Sequence, residues 1–432
     1  MPDKKLMPSW LSLEEALERL LAFFEPLERE ERPLLEAVGQ VLAEDIVSPL
    51  DVPTVTNSSM DGYAIHAADT SAAGRQTPVT LPVDGYVAAG HVYPHPVAQG
   101  HALRIMTGAP IPPGADAVVP FEDTDELEQK EQGAQAIQSV RIYHEAAPGA
   151  NIRGAGEDVR QGQRVLARGT VIKPATAAVL ASLGLVTAPV FRRPTVAILA
   201  TGDEVVAPGQ PLGPGQLYNS NSYGLAALVQ SYGAVPKLLG IARDTVEAVE
   251  ERLAEGMEAD LVLTAAGVSR GDYDVVKDVL LRHGEIDFWT VRIRPGKPMA
   301  FGALVGTDRR GRPRRVPQIG LPGNPVSALV TCELFARPAI LKMLGYTQLA
   351  RPSVSAVFHG SLTNPDGRRT FARAILERRG DSYHATLSGG QGSHILSALA
   401  LANALVVLPE ERPSLRDGEL VQAILLDADI PG

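Results

Sequence analysis

Residues 260–276 read DLVLTAAGVSRGDYDVV, and this stretch decides the architecture. An apolar run passes through a Gly- and Ser-containing turn into a helical pattern carried by Val275, Val276, Val279 and Leu280. A strand that turns through glycine into a helix leaves backbone N–H groups unpaired at the positive end of the helix dipole, where an anion such as phosphate is stabilised. Asp272 and Asp274 fall in the predicted first turn. Carboxylates there either cap the helix or hold a divalent metal beside the anion, and the stretch alone does not choose between the two.

Upstream, the same alternation repeats: TVAILA (195–200), a helix from Ser222 to Tyr232, VPKLLGI (235–241), and a helix from Thr245 to Gly256. Continuous apolar strands alternating with amphipathic helices predict a doubly wound, mostly parallel α/β/α sheet over residues 191–346. Residues 51–151, rich in Val, Gly and Pro, read as an inserted β-rich domain. Around the insert, 8–50 and 152–190 form a helical and connector domain, with helices predicted at about Leu13–Phe24 and Pro33–Ala43. Ser12 and Glu15 have the spacing of a capping box. Beyond Tyr346, runs such as SVSAVFHG, RTFARAIL and ELVQAILL predict a small β-barrel-like domain over 347–432. The fold class is thus multidomain, α/β plus β.

A chain of 432 residues exceeds one ordinary core, so two to four domains are expected. Its formal net charge of −10 argues against nucleic-acid or anionic-membrane partners. The single cysteine, Cys332, lies in an apolar helical run and excludes a disulfide scaffold. No segment is apolar enough to span a bilayer and no signal-type core is present, so a cytoplasmic protein is expected.

In an open doubly wound sheet, ligands bind beyond the carboxyl ends of the strands. Glu204 follows the first strand, Asp244 the second, Asp272 and Asp274 the third. Carboxylates gathered on one edge repel unless a cation compensates, and oxygen-only ligands suit magnesium carried with phosphate oxygens. The same edge collects Arg292, Arg294 and Lys297 around a Pro-Gly turn, while Asn324 is placed to cap a helix that starts at Pro325. These groups describe a site for a polyanion with a divalent metal. The basic run DRRGRPRR (308–315) reads instead as a solvated hairpin tip. Histidines 91, 95 and 101 lack metal-site spacing, and no phosphate-binding G-x-x-x-x-G-K-[ST] occurs.

Several long motifs resemble the molybdopterin molybdotransferases, the MoeA and gephyrin E-domain group. They are TNSSMDGYAI (56–65), RIMTGAPIPPGADAVVPFED (104–123), NIRGAGEDV (151–159), ILATGDEVV (198–206), GQLYNSNSYGL (215–225), RPGKPMAFG (294–302) and GLPGNPVSALV (320–330). The resemblance implies insertion of molybdate into adenylylated molybdopterin with release of AMP, in a magnesium-dependent homodimer supplied by a molybdopterin adenylyltransferase. It places Asp61, Thr107, Asp158, Glu204, Asp244 and Asp274 in catalytic roles, with Glu204, Asp244 and Asp274 also holding the metal. It assigns Gly267, Ser269, Arg294, Lys297, Asn324 and Ser327 to the pterin and molybdate. Ala265-Ala266-Gly267-Val268-Ser269-Arg270-Gly271 departs from the family's usual Ser-Gly-Gly-Val-Ser-Val-Gly, putting a methyl and a charge beside the expected phosphate. An adenylyltransferase-like enzyme of the same sheet type and a gephyrin-type scaffold are the competing readings.

Overall fold

The computed structural model describes residues 10–266 and 275–427. The described chain divides into two compact units, one of Pro33–Glu36 with Glu44–Ala188 and one of the remainder.

The larger unit is built on a seven-stranded sheet. Its strand order is Trp10–Leu11, Gly284–Val291, Pro298–Thr307, Pro313–Leu321, Leu261–Ala265, Thr195–Thr201, Val235–Ala242. Of these, Pro298–Thr307 alone runs against the rest, paired antiparallel on both sides. The mostly parallel sheet is therefore as the alternation predicts. Along Thr195–Thr201, Val196 and Ile198 pack on one face and Ala197 and Leu199 on the other, all fully buried. Each large apolar side chain taken from water contributes roughly 1.5–3 kcal/mol, which is why a strand covered on both faces reads as an unbroken apolar run. Helices Val246–Gly256 and Val275–His283 cover one face; Leu13–Leu21, Ser220–Ser231 and the run from Pro325 to Met343 cover the other.

Local signals act as read at the first helix. Ser12 Oγ accepts from the Glu15 N–H at 3.1 Å while the Glu15 carboxylate accepts from the Ser12 N–H at 2.9 Å. The helix ends at Leu21 rather than Phe24. The tip of the Pro298–Leu321 hairpin falls within the basic run, where Asp308 accepts from the N–H groups of Arg310 and Arg312 at 2.9 Å each. The second predicted helix is a correction. Only Leu34–Ala37 is helical, Arg29–Pro33 is extended, and Gly39 at φ +84 turns the chain away before a second turn forms. The 152–190 part of the predicted connector domain also contains a helix, Pro174–Ser182, opened by Pro174.

Between Pro325–Thr331 and Arg337–Met343 the helix widens into a π turn, Cys332–Ala336, whose Arg337 N–H reaches back to the Cys332 carbonyl. Pro338 has no N–H to donate and its ring crowds the preceding turn, and the wider turn relieves both. Cys332 lies fully buried there, and burial pushes its thiol well above the usual range. Since the thiolate is the nucleophile, iodoacetamide at neutral pH is expected to leave the folded protein unlabelled and to modify one thiol after denaturation. Labelling at equal rates in both states would show that this helix run is not packed as described.

The C-terminal strands close on themselves. Arg369–Arg379 pairs with Ser382–Leu387, which pairs with Ser353–His359, then Leu420–Leu425, then Ala404–Leu408, which returns to Arg369–Arg379. Five strands thus form a barrel, as the strand runs predict. The two-residue strand Ile293–Arg294, just beyond the sheet, adds in parallel to Arg369 and Thr370.

In the smaller unit a five-stranded sheet orders Ala117–Pro120, Gly62–Ile65, Ala102–Ile105, Val79–Val87 and Ser139–Ile142. Gly62 is required at its place, because a Cβ there would lie 2.0 Å from the Val119 carbonyl oxygen. The insert is β-rich, as its composition predicts.

Candidate functional site

Beyond the carboxyl ends of Thr195–Thr201 and Leu261–Ala265 lies a cavity of about 540 Å³. It is the crevice expected of an open sheet. Glu204, Asn219, Asn221, Asn324 and His394 reach its wall. Asn219 caps helix Ser220–Ser231, its side chain accepting from the Ser222 N–H at 3.0 Å, so the start of a 12-residue helix opens onto the cavity. Asn221 donates to the Gly323 carbonyl at 2.7 Å, tying this helix start to the turn before Pro325. Ala266, also on the wall, holds φ +120, a conformation that strains an alanine. The methyl noted in the sequence therefore sits on the cavity lining.

Asn324 and Pro325 begin a helix as predicted, but the Asn324 side chain makes no capping bond. The first free N–H of that helix, on Val326, is taken by the Ser393 carbonyl at 3.1 Å. Ser327 is buried and lies off the cavity wall. The capped helix start that opens onto this cavity is thus the one after Asn219, whose motif NSNSYGL is visible in the sequence without declaring its role.

Asp244 is exposed and pairs with Asp203: each carboxylate accepts the other's backbone N–H at 3.3 Å. This exchange joins the ends of the two neighbouring strands without using Glu204. Among the described residues no three His, Cys, Asp or Glu side chains form a metal-holding group. Gly267, Ser269, Asp272 and Asp274 lie outside the described residues. The same segment, Gly267-Val268-Ser269-Arg270-Gly271, also has G-x-S-x-G spacing, and no nucleophilic role is assigned to Ser269.

The basic side chains separate from this cavity. Lys297 is exposed, with its ammonium 4.7 Å from the centre of the Trp10 ring. Arg294 lines a different cavity, of about 260 Å³, together with Arg373, Ser361, Thr363 and Thr370. Arg373 is 1% exposed, and its Nε has no hydrogen-bond partner. Its Nη2 donates to the Gly390 and Gly392 carbonyls at 2.9 and 3.1 Å. Burial first, and then the charge of Arg294, lowers its pKa from the ordinary guanidinium range. Asp366 feels Arg294 as well but bonds to Arg368. A buried guanidinium beside a second one, with hydroxyls around them, is a place for a small oxyanion. Sequence reasoning missed Arg373, since nothing in RTFARAIL marks this arginine as an interior residue.

In the smaller unit, register brings two predicted residues together. Gly62 pairs with Ile105, so Asp61 and Thr107 leave the sheet side by side. The Asp61 carboxylate accepts from the Thr107 N–H at 2.7 Å and from its hydroxyl at 2.8 Å. These two bonds hold it below the usual carboxylate range. Asp158 belongs to the same unit but is exposed, with its N–H donating to the Val52 carbonyl at 3.0 Å.

A crevice at the carboxyl edge of an α/β sheet, joined to a barrel with an oxyanion-type cavity, defines a nucleotide- or cofactor-handling protein. Three family profiles match along the chain: MoeA N-terminal region (domain I and II) at 11–184, probable molybdopterin binding domain at 197–342, and MoeA C-terminal region (domain IV) at 355–426. The chain is 42% identical over 399 residues to a molybdopterin molybdenumtransferase 2 of Mycobacterium tuberculosis, covering 90% of this chain and 93% of the relative. It is 37% identical over 416 residues to a molybdopterin molybdenumtransferase of Haemophilus influenzae, covering 95% and 97%. The crystal structure of a molybdopterin biosynthesis MoeA protein from Pyrococcus horikoshii is similar with TM-score 0.77 and 31% identity, covering 96% of this chain and 100% of that one. The chain belongs to the MoeA family of molybdopterin molybdenumtransferases.

Proposed function

We propose that this protein is a molybdopterin molybdenumtransferase that inserts molybdate into adenylylated molybdopterin and releases AMP. The observation that carries the reading is the pair of cavities within one unit. One is a large crevice at the sheet edge with a helix start and a carboxylate; the other is a small cavity with a buried arginine whose Nε has no hydrogen-bond partner. The first suits an extended phosphate-bearing pterin, the second a tetrahedral dianion.

In this reading the N–H groups after Asn219 and the side chains of Asn221 and Asn324 orient the phosphates, and Arg294 and Arg373 hold molybdate. Glu204 and Asp244 offer oxygen donors of the kind magnesium takes when substrate phosphates and waters complete its shell. The bound ion would neutralise charge developing on the phosphoanhydride. Asp61, held below the usual carboxylate range by Thr107, takes the catalytic role that the family resemblance gives it. The deciding experiment incubates the protein with adenylylated molybdopterin, molybdate and magnesium. AMP release that depends on molybdate is expected; its absence would leave the competing readings, an adenylyltransferase-like enzyme or a scaffold.

The Asp61 assignment makes its own prediction. Thr107→Val removes the hydroxyl donor but keeps the backbone one, so the Asp61 pKa rises toward its ordinary value. The ionised fraction is then lost at a higher pH on acidification, and the acid limb of the AMP-release profile should move up in pH with little change on the plateau. An unmoved limb would remove Asp61 from the reaction.

A further inference from the structure

We propose that His394 is a positioning residue for the phosphate-bearing substrate in the Glu204–Asn324 cavity, an inference that rests on the function proposed above. Among the described residues lining this cavity, Glu204 carries the negative charge and His394 is the single side chain able to carry a positive one. An imidazole N–H donates to a phosphate oxygen whether the ring is neutral or protonated.

His394 follows a stretch, residues 390–393, that is anchored to two elements. The Val326 N–H, at the start of helix Pro325–Thr331, donates to the carbonyl of Ser393, the residue immediately before it. From strand Arg369–Arg379, Arg373 holds the Gly390 and Gly392 carbonyls through its guanidinium, and the backbone of Arg373 is bonded twice by the Gln391 amide, at 2.9 and 3.1 Å. The ring then folds over Gly392: a Cβ there would lie 2.8 Å from His394 Cε1 and 3.2 Å from Nδ1. The place of the imidazole therefore depends on Gly392 having no side chain. The imidazole is exposed on the cavity wall at the end of this braced stretch, so it is open to contact with a ligand in the crevice. Position 394 lies in the barrel region and its cavity partners in the sheet region, so the barrel completes the crevice.

The test uses the full-length protein and three variants, His394→Ala, His394→Gln and Gly392→Ala, with adenylylated molybdopterin and molybdate varied separately. His394→Ala is expected to raise the KM for adenylylated molybdopterin about tenfold, the worth of one charge-assisted hydrogen bond, with a far smaller change in kcat and none in half-saturating molybdate. His394→Gln keeps an N–H donor and should recover most of the loss. Gly392→Ala, which pushes on the far end of the ring, should reproduce part of it. A wild-type KM in His394→Ala, or a glutamine variant no better than alanine, would overturn the assignment while AMP release by the wild type still stands. If the wild-type protein fails to bind adenylylated molybdopterin at equilibrium, the function on which the assignment rests is overturned, and the assignment with it.

Discussion

Arg373→Met is expected to raise the molybdate concentration needed for half-maximal insertion by about ten- to a hundredfold, the range of one to two hydrogen bonds from a charged donor. The guanidinium is almost wholly buried, its Nε bonds to nothing, and the nearest charge it feels is another arginine. Burying a cation without a counter-ion is costly, and such interior charges cluster at functional sites, so this one serves a ligand as well as the two carbonyls it holds. Methionine fills similar space without the charge. The melting temperature of the variant should therefore hold or rise, offset in part by loss of the bonds to the Gly390 and Gly392 carbonyls. Arg373→Lys keeps the charge but not the planar fork, and should fall between the two. Equilibrium binding of radiolabelled molybdate reads the effect directly. Wild-type affinity in Arg373→Met, with the fold intact, would empty this cavity of its proposed role.

Asp244→Asn is expected to lower magnesium-dependent AMP release on the order of a hundredfold, the usual scale for removing one group that compensates developing charge. The substitution is chosen for what it leaves unchanged. The amide oxygen can still accept the Asp203 N–H, and the Asp244 N–H still reaches the Asp203 carboxylate, so the link between the two strand ends persists. Only the charge goes. The residue is exposed, and its loss opens no cavity, so thermal unfolding should stay at the wild-type value. A magnesium titration of AMP release is the measurement: the variant should need far more magnesium or fail to respond, whereas a wild-type curve would leave Asp244 as a turn residue that merely pairs with Asp203.

By itself the sequence determined the layered sheet and which residues emerge at its carboxyl edge. Apolar runs at 196–200 and 261–263, spaced by helical patterns, admit few arrangements, because side chains alternating across a strand can all be apolar only when both faces are covered. Glu204 and Asp244 were legible for the same reason, since residues that follow parallel strands must emerge at one edge. Short-range chemistry was legible too where it closes within four residues, as in the Ser12–Glu15 capping box. The helix predicted over Pro33–Ala43 misleads, because Gly39 stops it after one turn.

Tertiary structure decided which of these groups share a cavity. Arg294 and Lys297 follow a strand of the same sheet edge as Glu204, yet Arg294 turns to the barrel and Lys297 to Trp10, because Ile293–Arg294 finds its pairing partner in Arg369–Thr370. Asp61 and Thr107 stand 46 positions apart and meet only through the register of two antiparallel strands. Arg373 looks like any arginine in an alternating strand, and it becomes an interior charge only when Ala404–Leu408 pairs back onto its strand and closes the barrel. Periodicity reports which face of an element is buried, but the partner across that face is chosen by long-range pairing and packing, and it is the partner that turns a charged side chain into a ligand.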